Sequence, residues 1–183
     1  MFITILKLLS LLRYNAYMRE AGIRDIKKIV NIIENAKKSL KKDGVDQWQI
    51  DSMNEKFLQG QIETGKAFVY EDKGEIIAYC FLSDEKEKAY KVWEDDFEGK
   101  SPLTIHTFAV NTRARQKGIA TRFFIDIIKH AEKNSFDALR IDTHEDNFKM
   151  RGLINKLGFR TIGEIFIDEE GAKKPRICYE RLL

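Results

Sequence analysis

The stretch HTFAVNTRARQKGIATRFFIDIIK, residues 106–129, begins as one kind of structure and ends as another. Leu103, Ile105, Phe108, Ala109 and Val110 form a short apolar run with β-branched members, which predicts a strand. Ile119, Ala120, Phe123, Phe124, Ile127, Ile128 and Ala131 return in pairs at the helical period, which predicts a helix with one wide apolar stripe. Between them, Asn111 to Lys117 is a polar turn closing on Gly118 and carrying Arg113, Arg115 and Lys117. A strand that passes through a basic turn into a helix is a place to hold an anion. The first helical N–H groups lack intrahelical partners, the dipole is positive there, and glycine lets an oxyanion approach the backbone. The ligand expected is a phosphate or pyrophosphate.

Two common phosphate sites do not fit. A nucleotide P-loop would end in Gly-Lys-Ser/Thr, and a dinucleotide fingerprint would show three spaced glycines, whereas only Gly118 is present. The run Arg115-Gln116-Lys117-Gly118-Ile119-Ala120, set between an apolar strand and an amphipathic helix, resembles the Gln/Arg-x-x-Gly-x-Gly/Ala signature of the GNAT superfamily of N-acyltransferases. Backbone amides of that signature cradle the pyrophosphate of coenzyme A.

The rest of the chain extends the resemblance. Strands are expected at Tyr17–Ala21, Lys66–Tyr70, Ile76–Leu82, Asp137–Asp142, Arg160–Ile167 and Arg176–Leu182. Helices are expected at Ile23–Lys42, Asn54–Glu63 and Asn147–Leu157. Asp72-Lys73-Gly74 and Asp168-Glu169-Glu170-Gly171 are hairpin signals, and strand, helix, strand around residues 103–142 predicts a right-handed parallel crossover. Ser83 to Lys100 reads as an irregular excursion. This order resembles the GNAT fold: an α/β (α+β) domain whose mixed, mostly antiparallel sheet has a central parallel pair splayed for acyl-CoA, with helices on both faces. A second motif agrees. The family pattern Asn-x-x-small-x-x-Leu-Tyr-x-x-x-Gly-Phe is met at Asn147, Leu153, Gly158 and Phe159, but Ile154 stands where many members carry the Tyr that protonates the leaving thiolate.

Totals set the broad class. The 183 residues suit one domain, and 43% hydrophobic with 33% charged residues describes a folded, water-facing chain. A net charge of +3 with interspersed signs argues against a nucleic-acid binder. Cys80 and Cys178 sit in apolar runs and read as buried thiols of a cytoplasmic protein rather than a disulfide. The domain is expected at 17–183, preceded by an apolar extension, 1–16, that reads as an amphipathic helix packing on the domain or on a neighbour. That segment is too short to span a bilayer and lacks signal-peptide features. Translation starting at Met18 is an alternative, and a homodimer is left open.

The resemblance implies acetyl-CoA as cosubstrate and a small-molecule or peptide amine as acceptor. It places the pantetheine arm along Phe108, Ala109 and Val110, with Asn147 touching it from the next helix. The pyrophosphate falls on amides of Gln116, Lys117, Gly118, Ile119, Ala120 and Thr121. Arg115 and Lys117 either contact phosphates or are solvated. A base must deprotonate the ammonium, and histidine titrates in the useful range. His106 and His144 are the candidates, with Asp142 and Glu145 as alternatives. With Ile154 at the Tyr position, the thiolate's proton would come from Tyr90, Tyr179 or water, or none is needed. No metal is expected, since Asp142 to Asp146 fits no strong ligand spacing. The acidic Glu94, Asp95, Asp96 and Glu98, with Trp93 and Phe97, are either a cationic-amine site or a solvated loop. A non-catalytic acyl-CoA-binding or interaction module is the alternative to an enzyme.

Overall fold

Residues 16–49, 51, 53–114 and 118–183 are described by a computed structural model. The expectation of a helix at 1–16 lies outside them except for Ala16, as do the contacts expected of Arg115, Gln116 and Lys117. In chain order the elements are β1 (Tyr17–Glu20), α1 (Ile26–Lys42), α2 (Glu55–Glu63), β2 (Ala67–Asp72), β3 (Glu75–Ser83) and β4 (Pro102–Val110). There follow α3 (Ile119–Lys133), β5 (Ala138–Thr143), α4 (Phe148–Lys156), β6 (Arg160–Glu169) and β7 (Ala172–Leu182). The strands form one sheet in the order β1-β2-β3-β4-β5-β7-β6, antiparallel throughout except for the β4–β5 pair. Parallel neighbours need a crossover, and α3 supplies it.

Both sheet faces are covered. Ile29, Ile32, Ile33 and Ala36 of α1, with Leu58 and Ile62 of α2, pack on Val69, Tyr79 and Ala109. On the other face Phe123, Phe124, Ile127 and Ala131 of α3, with Ile154 of α4, meet Phe68, Cys80, Phe108 and Leu139. Alternation along β2, with Ala67 and Val69 to one side and Phe68 and Tyr70 to the other, feeds both cores. Cys80 and Cys178 are buried free thiols. Among the described residues no helix is long and apolar enough to cross a membrane.

The hairpins close more tightly than the sequence implies. Lys73-Gly74 (φ 53° and 82°) and Glu170-Gly171 (φ 53° and 83°) have the left-handed pairs that two-residue turns demand. The last hairpin therefore stays paired out to Glu169↔Ala172 instead of opening at Asp168. The charged run Lys173-Lys174-Pro175 belongs to β7, where proline is tolerated because pairing with β5 ends at Thr143↔Ile177.

The 83–100 excursion packs on this hairpin. Tyr90 and Phe97 join Ile165 and Cys178 in a small separate core. The Trp93 indole donates to the Glu164 carbonyl (2.8 Å) and lies where Gly163 has no side chain; a Cβ there would come within 2.2 Å of the ring. Trp93 and Phe97 thus anchor the excursion, and neither they nor Glu94, Asp95, Asp96 and Glu98 line the cleft described below.

Two local devices set the central strands. Between Tyr79↔Ala109 and Phe81↔His106, β4 carries one extra residue, a bulge with Thr107 at φ 50°. Buried Gln61 bridges it, donating to Thr107 Oγ1 (3.1 Å) and accepting from the Tyr79 hydroxyl (2.9 Å). Gln61→Ala strands both partners and should lower stability by about 1–2 kcal/mol, read by denaturant melts. At the sheet edge Arg19 bonds Asp25 (2.7 Å) and Glu71 (2.7 Å), tying β1 and β2 to the start of α1. The Arg19 guanidinium holds the Asp25 carboxyl below its usual range, helped by the Gly22 N–H. A depressed carboxylate contributes stability above its unfolded pKa of about 3.9 and loses it as pH falls through the folded value. Thermal melts below about pH 4 should therefore fall more steeply for the wild type than for Asp25→Asn.

Candidate functional site

β4 and β5 are paired only from Pro102↔Ala138 to Ile105↔Ile141. Beyond that point β4 follows β3 as far as Ala78↔Val110, and β5 follows β7 as far as Thr143↔Ile177. The two strands part, and the edge of β4 from His106 to Val110 faces a gap instead of a strand. Backbone groups on such an edge seek a partner, which an extended ligand can provide. A cleft of about 1270 Å³ follows the gap. His106 to Val110, Ile141 to Thr143, Gly118 to Thr121, and Asn147, Met150 and Leu153 all line it.

At one end stands the α3 N-terminus. Gly118 is its cap at φ 74°, and the first helical bond runs from the Arg122 N–H to the Gly118 carbonyl (3.0 Å). The amides of Ile119, Ala120 and Thr121 precede that bond, so helix geometry leaves them without intrahelical acceptors. Among the described residues a Cβ at Gly118 would meet no atom within 4 Å, so the left-handed backbone and not crowding by them favours glycine. Amides without intrahelical acceptors and the positive end of the dipole fit a pyrophosphate.

Asn147 caps α4 by accepting the Met150 N–H (3.2 Å). Its amide donates to Gln47 Oε1 (3.2 Å) and Thr143 Oγ1 (3.1 Å). Gln47 Oε1 also accepts from the Thr143 hydroxyl (3.2 Å) and the His144 N–H (3.4 Å). This one buried acceptor ties the loop after α1 across the cleft to the end of β5. Gln47 carried no functional signal in the sequence.

The cleft brings His106 and Asp142 together and leaves His144 outside. His106 Nε2 lies 3.7 Å from Glu87 Oε1 and its side chain is 24% exposed. Asp142 is held by the Tyr90 hydroxyl (2.8 Å), and burial pushes its carboxyl above the usual range. His144 does not line the cleft; its Nδ1 accepts the Asp146 N–H (3.1 Å) in the turn into α4. Nor does Glu145, whose carbonyl receives Arg151 (2.7 Å). Tyr90 and Tyr179 are buried and do not line the cleft, and burial drives the Tyr90 phenol up. Ile154 is fully buried in the α3-side core. Glu87, unremarked in the sequence, is brought to His106 by the excursion. Among the described residues no group of three His, Cys, Asp or Glu could hold a metal ion.

The sequence model of the Acetyltransferase (GNAT) family matches residues 33–159. The chain belongs to the GNAT acetyltransferase family. It is similar to a GNAT-family acetyltransferase from Streptococcus agalactiae 2603, with a TM-score of 0.79 at 28% identity over 94% of this chain and 98% of the other. An acetyltransferase of the same family from Listeria monocytogenes 4b F2365 gives 0.70 at 19% identity, over 92% and 95%. For yncA from Salmonella typhimurium, solved with its cofactor acetyl-CoA, the values are 0.67 at 15%, over 92% and 94%. The latter two, so distant in sequence, speak for the fold alone. No curated protein matches the sequence significantly. As a GNAT member the chain is an acyl-CoA-dependent acyltransferase with acetyl-CoA as cosubstrate. The parted strands, the helix N-terminus and the left-handed glycine fit that donor.

Proposed function

We propose that this GNAT enzyme is an N-acetyltransferase that moves the acetyl group of acetyl-CoA to a primary amine by direct attack in a ternary complex. The observation that carries the reading is the continuity of the β4–β5 gap with the α3 N-terminus at one end and His106 within it. Acetyl-CoA supplies an activated thioester. Amides of Gly118 to Thr121, with Gln116, Lys117 and Arg115 before them, would receive the pyrophosphate, and the β4 edge at Phe108, Ala109 and Val110 would align the pantetheine arm beside Asn147. Holding donor and acceptor together supplies much of the rate.

His106 is the proposed base. It takes a proton from the acceptor ammonium, so that the nitrogen lone pair can form the C–N bond as the C–S bond breaks. The sulfur leaves with the bonding pair and is protonated afterwards by solvent. His144 is not preferred because it does not line the cleft, and its Nδ1 accepts the Asp146 N–H in the turn before α4. Two buried free thiols favour a reducing compartment such as the cytoplasm. Release of free thiol from acetyl-CoA with a panel of primary amines tests the reading. Acetyl-CoA binding without thiol release on any amine would overturn it.

A further inference from the structure

Beyond the donor half, the same cleft continues under α1 and α2, and its walls there differ in chemistry. Ala36, Leu40, Trp48, Met53, Phe57 and Phe81 present an apolar surface. Ala36 and Met53 belong to the core on the α1–α2 face, with Trp48 and Phe81 packed against it. Phe57 is 42% exposed although it sits on a helix whose Leu58 and Ile62 are buried. It faces both the cleft and an adjoining depression of about 540 Å³, which Phe81 and Gln61 share. Phe57 thus adds an accessible phenyl face to the apolar wall formed by Trp48, Met53 and Phe81.

The charges at this wall have one sign. Glu85 and Glu87 line it beside His106. Among the described residues the charge partner of Glu87 is His106, while Glu85 is 83% exposed and reaches only Lys66 (3.6 Å). Among the described residues the Lys and Arg that line the cleft are already taken: Lys149 pairs with Asp43 and Arg176 with Glu169. A cationic head is therefore matched, while an acceptor carboxylate next to it would meet acidic groups. Aromatic faces also attract an ammonium directly.

From this we infer the acceptor class, resting on the acetyltransferase reading above: a primary amine borne on an aromatic or other apolar body, without a carboxylate beside the amine. The head lies at His106 and Glu87, where the base waits, and the body lies on Trp48, Phe57 and Phe81. Two sources share that chemistry, a free arylalkylamine and a peptide whose N-terminal residue is aromatic.

Thiol release should be followed with 2-phenylethylamine, a peptide with N-terminal phenylalanine, free phenylalanine, ethylamine and spermidine. The expected result is that kcat/KM for phenylethylamine, the peptide or both exceeds that for the other three by at least about tenfold; which of the two leads identifies the source. Phe57→Ala, at an exposed position, should cut the rate constant for the preferred acceptor about tenfold, and Glu87→Gln should lower it as well. Equal or faster acetylation of spermidine, ethylamine or free phenylalanine overturns the acceptor class and leaves acetyl transfer standing. So does an unchanged preference in Phe57→Ala. Acetyl-CoA binding without turnover of any amine overturns both readings.

Discussion

His106→Ala should lower kcat by about 10²- to 10⁴-fold while leaving the affinity for acetyl-CoA as it is, because general-base catalysis contributes that much and the donor is gripped elsewhere. The side chain is partly exposed and its ion contact is Glu87, so its loss leaves the two cores intact. The proton argument adds a sharper check. The variant should regain activity as the pH approaches the pKa of the free amine, since the acceptor then arrives already deprotonated and needs no base. A wild-type rate at neutral pH would remove His106 from the reaction. The same deficit at every pH would make it a positioning residue.

Gly118→Leu should weaken binding of CoA about 100-fold, measured by calorimetric titration, while circular dichroism and melting show a folded domain. Hydrogen bonds to a charged group are worth about 1.5–3 kcal/mol each, so displacing a phosphate from one or two amides is enough for that loss. Among the described residues nothing lies within 4 Å of the Cβ position, so none of them crowds the side chain. The cost to the fold is the left-handed backbone at φ 74°, about 1–2 kcal/mol. Gly118→Ala separates the two effects, because it carries the same strain with little bulk and should lose far less affinity. Unchanged affinity in Gly118→Leu would end the phosphate-cradle assignment.

How much of this was legible in the chain varies with the range of the forces involved. The β4–turn–α3 unit could be read because a short apolar run, helical pairing and a glycine after a basic turn are all local. The hairpin at Lys73-Gly74 was equally plain. The β7 start was not: Lys173, Lys174 and Pro175 look like loop until one sees that Pro175 faces no second strand on the β5 side. The acidic excursion was ambiguous for a related reason. Trp93 and Phe97 look like ligand aromatics in a charged loop, but Gly163, some 70 residues on, leaves the space that Trp93 fills.

By itself the sequence determined the family, the order of elements, the basic turn proposed to bind the donor and the unusual Ile154, since these depend on near-neighbour patterns. Only the tertiary structure decided which histidine enters the cleft. His106 and His144 are alike as residues; one lies on a strand edge beside the gap, and the other is held in a turn by the Asp146 amide. It also brought in Gln47, Gln61 and Glu87, whose partners are 18 to 100 residues away in the chain. Such pairings arise when the sheet and its two layers of helices assemble, and no local pattern encodes them. The strand His106–Val110 shows both halves of that division. Its apolar run predicted a strand, but its free edge exists because β5 turns away to follow β7.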